Sequence, residues 1–243
     1  MIYNSFARVY SELMDDSLYA KWAEYVEKEA GTIDKTLLDV ACGTGDLTIL
    51  LADKFHVTGT DLSDEMLKIA EEKAQKAKKT IPFIQSNMMD LYDFEKFDVI
   101  TCFDDSICYL KDEDELAVAF NQAFEHLNAG GKYLFDAHSL YQMDEVFPGY
   151  MFNHRTEDSA FMWNSFEGEY PHSIEHELTF FNWNDKIKGY SVNTELHKER
   201  TYPIETFKMI LNDIGFKNIQ VSAEFGKSEV KNDSTRWFFS AEK

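Results

Sequence analysis

Two groups of residues in this chain have types and spacing suited to chemistry. The first is Leu37-Leu38-Asp39-Val40-Ala41-Cys42-Gly43-Thr44-Gly45-Asp46-Leu47-Thr48, an apolar run that meets two glycines and passes into a helix. Gly43 and Gly45 allow the backbone to turn tightly beside a ligand, and the apolar run reads as a strand buried on both faces. A second short strand ends in Thr58-Gly59-Thr60-Asp61-Leu62, which sets a carboxylate where the ribose of a nucleotide needs an acceptor. The pair reads as a nucleotide-cradling turn, with an ordinary structural turn as the alternative. The second group is Phe103-Asp104-Asp105-Ser106 with Tyr109, and further on His138. Carboxylate, hydroxyl, phenol and imidazole at the carboxyl ends of strands are the types that orient a polar substrate or take its proton.

These residues need a sheet to position them. Apolar strands at 36–42, 56–62, 81–87, 97–103 and 132–138 alternate with amphipathic helices, which predicts a parallel α/β sheet. Ser63 caps a helix opened by Asp64 and Glu65, with Met66, Leu67, Ile69 and Ala70 as its packing stripe. Another helix is predicted over 112–127, ended near Asn128-Ala129-Gly130-Gly131. The pattern resumes with a helix at 204–214 stopped by Gly215, a strand at 218–224 and a last strand at 236–242. Residues 141–202 break the alternation: the aromatic-rich segments 160–166, 173–183 and 188–202, with Asn184-Asp185 as a turn, predict an inserted antiparallel meander.

Composition narrows the partners. The 243 residues, 44% hydrophobic, are enough to bury a sizeable core. A net charge of −20, from 24 basic and 44 acidic side chains, repels nucleic acid and anionic membrane surfaces. The basic residues from Lys73 to Lys79 read as a solvated helix end complementing the helix dipole. Cys42, Cys102 and Cys108 offer neither a disulfide framework nor a paired metal-ligand spacing, so free thiols and no metal are expected. No secretory leader or membrane span is read, and a cytoplasmic location is expected.

A dinucleotide site of the G-x-G-x-x-G kind requires a third glycine, and Asp46, Leu47 and Thr48 follow Gly45 instead. The string D-V-A-C-G-T-G-D, followed by T-D-L-S at the second strand end, resembles the class I S-adenosylmethionine-dependent methyltransferases. The opening Tyr3-Asn4-Ser5-Phe6-Ala7-Arg8-Val9-Tyr10, the D-S-x-x-Y-L pattern from Asp105 to Leu110 and the inserted meander are similar to the YqeM-like, small-molecule branch, with aminosugar N-methyltransferases as cousins. Ser11 stands where that opening often carries aspartate, and Ser86-Asn87 depart from the usual Gly-Asp after the third strand.

The resemblance implies a Rossmann-like seven-stranded sheet with helices on both faces, its last strand antiparallel. Residues 1–140 plus 203–243 would bind S-adenosyl-L-methionine, and 141–202 would form a β-lid or an oligomerisation subdomain, with a homodimer formed through it. The implied cofactor contacts are Tyr10, Asp39, Ala41, Gly43, Gly45, Asp61, Leu62, Asn87, Met88 and Phe103. Asp105, Tyr109 and His138 are the candidate catalytic groups. The implied reaction is methyl transfer to a nitrogen or oxygen of a small molecule, accelerated by aligning donor and acceptor. A nicotinamide-dependent oxidoreductase and a non-catalytic S-adenosylmethionine-binding protein are the alternatives.

Overall fold

The computed structural model describes residues 16–243. The first helix, α1 (Asp16–Ala30), is followed by β1 (Thr36–Val40), α2 (Asp46–Leu51), β2 (His56–Asp61), α3 (Asp64–Lys76), β3 (Phe83–Gln85) and β4 (Phe97–Cys102). A 3₁₀ turn (Ser106–Tyr109) leads to α4 (Glu113–Glu125) and β5 (Leu127–His138). Beyond a single π turn lie β6 (Met151–Arg155), β7 (Ser159–Glu167), β8 (Ser173–Asn184) and β9 (Gly189–Arg200). The chain then returns through α5 (Ile204–Ile214), β10 (Lys217–Ser222) and β11 (Arg236–Glu242).

One sheet runs β10-β11-β5-β4-β1-β2-β3 and a second runs β6-β7-β8-β9. In the first sheet β1, β2, β3, β4 and β5 are parallel, while β11 is antiparallel to both β5 and β10. This reversal has a functional effect. It pairs Arg236 at the start of β11 with His138 at the end of β5, so both side chains lie on the edge where the parallel strands finish.

Alternation along the central strands feeds two cores. Leu37 faces Trp22, Tyr25 and Val26 of α1 and Leu47 and Leu51 of α2. Leu38 and Val40 face the opposite layer, with Leu116 and Phe120 of α4 and Phe207 and Leu211 of α5. Phe135 of β5 stacks on Phe239 of β11 at 4.5 Å and is fully buried, a burial that stabilises by about 1.5–3 kcal/mol per side chain.

Several predicted boundaries move. The helix read over 112–127 is Glu113–Glu125, with Asp112 as its N-cap accepting from Glu115 N at 2.9 Å. Asn128-Ala129-Gly130-Gly131 does not end that helix in a loop. It lies inside β5, where the β4–β5 register shifts and Gly130 takes φ +75°, so the glycines mark a bulge. The third strand shrinks to Phe83–Gln85, and Asn87 instead forms an isolated bridge with Asp90. The meander gains a fourth strand, β6, whose five residues are all exposed and carry no alternating pattern to read. The insertion is pinned at its root, where the Thr201 hydroxyl donates to the His138 carbonyl at 2.6 Å. Among the described residues no helix is long and apolar enough to cross a membrane.

Candidate active site

The turn after β1 is built by carboxylates that accept from the backbone. Asp61 Oδ2 accepts from Gly43 N at 2.9 Å and Oδ1 from Ser63 N at 2.8 Å. Burial raises the Asp61 carboxyl above its ordinary range against the pull of these N–H groups. Each oxygen keeps a lone pair for a further donor. Asp39 takes the Thr48 hydroxyl at 2.6 Å on one oxygen and the Thr101 hydroxyl at 2.8 Å on the other, tying β1 to α2 and β4. Burial pushes Asp39 up to about 6.

The two glycines do different work. Gly43, at φ +55°, has open space where a Cβ would stand and lines the cavity. Gly45, at φ +77°, is not on the cavity wall; a Cβ there would lie 2.7 Å from that of Ala70, so it lets α3 pack against the turn. The basic run closes α3 with Lys76 and Lys78 exposed, as read from the sequence, while Lys73 reaches back to Asp46 at 2.5 Å and Thr44 at 3.1 Å and Lys79 pairs with Asp53 at 2.7 Å.

A cavity of about 650 Å³ opens beside this turn, within the size range of small-molecule sites. Asp39, Ala41, Gly43, Asp61, Leu62, Asn87, Met88 and Phe103 line it, as do Asp105, Tyr109 and His138. Asn87 uses its side-chain oxygen to hold Met89 N at 2.9 Å. Phe103 is buried against Trp22 and Tyr25. Tyr10 lies outside the described residues. The residues present fit a nucleoside donor: an acceptor-only carboxylate at Asp61, a bare backbone approach at Gly43, and apolar cover from Leu62, Met88 and Phe103.

Across the cavity stands a cluster that the sequence reading found only in part. Asp104 and Asp105 both adopt left-handed φ, +57° and +50°, a strained conformation for non-glycine residues. The strain is held by Asp136, fully buried on β5, which accepts from Asp105 N at 2.8 Å, Trp22 Nε1 at 2.8 Å and Arg236 at 3.0 Å. Arg236 also binds Asp105 at 2.5 Å. His138 Nε2 sits 3.2 Å from Asp105 and 3.6 Å from Glu199. Tyr109 meets His197 Nδ1 at 2.9 Å.

The electrostatics separate these carboxyls. Burial alone would raise Asp105, but His138 and Arg236 hold it below the ordinary carboxylate range. Burial and the neighbouring Asp105 push Asp104 up to about 8 and lift Glu199 well above its usual value.

Arg236, Asp136, Glu199 and His176 were not singled out in the sequence. One signal was available on β9: Glu195, His197 and Glu199 alternate and are buried, while Leu196 between them is 46% exposed. A strand that turns its charges inward and its leucine outward faces something other than an apolar core.

A family model described as a methyltransferase domain matches residues 37–131. The chain is 39% identical to the putative methyltransferase YqeM of Bacillus subtilis (strain 168), over all of this chain and 98% of that one. It is 29% identical to an S-adenosylmethionine-dependent methyltransferase from Clostridium acetobutylicum ATCC 824, with a TM-score of 0.85 over 99% of this chain and 98% of that one. It shares its fold with the sugar N-methyltransferase KedS8 from Streptoalloteichus sp. ATCC 53650 (TM-score 0.78, 23% identity, covering 100% of this chain and 93% of that one). The chain is an S-adenosylmethionine-dependent methyltransferase and belongs to the YqeM-like family.

Proposed function

We propose that this enzyme methylates a nitrogen or oxygen of a small molecule held between the β1 turn and the β6–β9 sheet. The observation that carries the reading is that one cavity runs from Gly43, Asp61 and Asn87 to Trp163, His176 and Glu199 on the second sheet. When bound, S-adenosylmethionine supplies an electrophilic methyl on a sulfonium. Gly43 and Asp61 would hold its nucleoside and tail, Asn87 and Met88 would meet the base, and Phe103 would cover it. Asp105, kept ionised by His138 and Arg236, places a carboxylate on the cavity wall, as suits a cationic donor.

Residues 141–202 act as a lid that closes over the acceptor and excludes water. Of the three candidate catalytic groups, Asp105 is engaged by Arg236 and serves to position its neighbours. His138 and Tyr109 stand closer to the role of holding a proton from the acceptor. The charge of −20 favours a small acceptor over a polyanion.

Calorimetry with S-adenosylmethionine, S-adenosylhomocysteine and NAD tests the donor half, and tight binding of the first two alone is expected. Formation of S-adenosylhomocysteine across a panel of amines, aminosugars and alcohols tests the transfer. NAD binding without S-adenosylmethionine binding would overturn the donor site, and donor binding without turnover on any acceptor would point to a non-catalytic sensor.

A further inference from the structure

Two polar atoms on the lid side of the cavity have no hydrogen-bond partner among the described residues: Glu199 Oε2 and His176 Nε2. Glu199 is 5% and His176 2% exposed, and both line the cavity. Buried polar atoms are nearly always paired, so two adjacent exceptions point to a missing partner.

The hydrogen on His176 is settled by its neighbours. Trp163 Nε1, which can only donate, stands 3.0 Å from His176 Nδ1, and Ser165 Oγ stands 2.7 Å from the same atom. Nδ1 therefore carries the lone pair and Nε2 the hydrogen. Burial, reinforced by His138, holds this imidazole down at about 4, in keeping with a neutral ring. His176 Nε2 is 3.8 Å from Glu199 Oε1, too far for the two to satisfy each other.

Burial keeps the Glu199 carboxyl protonated, and its carbonyl oxygen still accepts, so the wall presents the His176 N–H beside an acceptor, and that combination selects its ligand. Asp105, His138 and Glu199 are grouped closely enough to ligate a metal ion, but the Asp105 oxygen that faces His138 already accepts from Arg236. An ammonium group satisfies Glu199 and leaves the His176 N–H facing another donor. A hydroxyl group accepts from one and donates to the other. Phe147 and Trp163 flank His176 at 4.7 and 5.2 Å, giving an apolar surface for the carbons that carry it.

We propose that Glu199 and His176 form a hydroxyl-recognition pair, and that the methyl acceptor is a hydroxyl-bearing small molecule whose O–H donates to Glu199 Oε2 and whose oxygen accepts from His176 Nε2–H. The inference rests on the methyl-transfer reading and names the class of its acceptor. Both residues determine specificity.

The test is ligand-observed NMR on the protein saturated with S-adenosylhomocysteine, using matched probes: cyclohexylamine against trans-2-aminocyclohexanol, and benzylamine against 2-amino-1-phenylethanol. The hydroxyl-bearing member of each pair is expected to bind about tenfold or more tightly. Glu199→Leu and His176→Phe should each cut that preference to under about threefold, with S-adenosylhomocysteine binding as the check on folding. In the unsubstituted protein the ¹⁵N resonance of His176 Nε2 should shift with the hydroxyl probes and stay in place with the amines, a readout that needs no variant. The absence of any hydroxyl-dependent binding, or a hydroxyl preference that survives both substitutions, would overturn the proposal. Failure of S-adenosylhomocysteine to bind would instead overturn the methyl-transfer reading beneath it.

Discussion

At the β1 turn, each carboxylate oxygen of Asp61 and Asp39 already accepts one hydrogen bond, from Gly43 N, Ser63 N and the hydroxyls of Thr48 and Thr101. Across the same cavity, Glu199 Oε2 and His176 Nε2 are left open, and Asp104 and Asp105 are held in strained backbone. A site whose polar groups are satisfied before the ligand arrives is pre-organised and resists change, as suits a fixed donor. A site with open polar groups depends on its ligand to complete it, which on the proposed reading is the methyl acceptor.

The largest expected effect breaks the acceptor end. Arg236→Ala leaves Asp105 and Asp136 without their cation and should destabilise the fold by about 3–5 kcal/mol, read by urea unfolding. Arg236→Lys restores the charge without the fork that spans both carboxylates, so it should recover only part of that stability.

At the donor end the main loss should be affinity. Asp61→Ala removes an acceptor that also holds Gly43 N, and binding of S-adenosylhomocysteine should weaken by about 100-fold or more in calorimetry. An unchanged affinity would remove Asp61 from the ribose role.

His176 and Asp39, one on each side of the cavity, should also answer acid with opposite signs. His176 lies at about 4 against 6.5 in the unfolded chain, so between those values the unfolded state binds the extra proton. Its contribution to stability rises with pH and is lost as pH falls through that window, by roughly 3 kcal/mol in all. Asp39 lies at about 6 against 3.8, so here the native state binds the extra proton and its contribution declines as pH rises from about 4 to 6. Stability measured against pH should therefore flatten in His176→Phe and steepen on acidification in Asp39→Asn.

The smallest effects separate the glycines. Gly45→Ala meets Ala70 and an unfavourable φ and should lower stability by about 2 kcal/mol. Gly43→Ala has open space around it and should lower stability by about 1 kcal/mol, with its greater effect on cofactor affinity.

The β1 turn could be read from sequence because its determinants are local: Asp39 to Asp46 form one turn, and Asp61 closes it from the neighbouring strand. The cluster across the cavity could be read only in part. Asp105 and His138 announced themselves by standing at strand ends, but Arg236, Asp136 and Glu199 meet them only through the antiparallel placement of β11 and the fold of the insertion. The fourth meander strand gave no periodic signal because both of its faces are exposed. Gly130-Gly131, read as a stop, is a bulge because β11 continues the sheet beside it, with Lys243 N bonded to Gly131 O at 3.0 Å.

The bond from Thr201 to the His138 carbonyl also bears on how such a protein diversifies. It joins the two ends of the insertion, so the sheet that carries the donor site experiences everything between them as one closed loop. Loop-closure entropy grows only with the logarithm of length, and doubling such a loop costs about 0.6 kcal/mol. Length changes in the turns that connect those strands therefore carry a small closure penalty, so on the proposed reading the wall that meets the acceptor can vary while the β1 turn stays as it is.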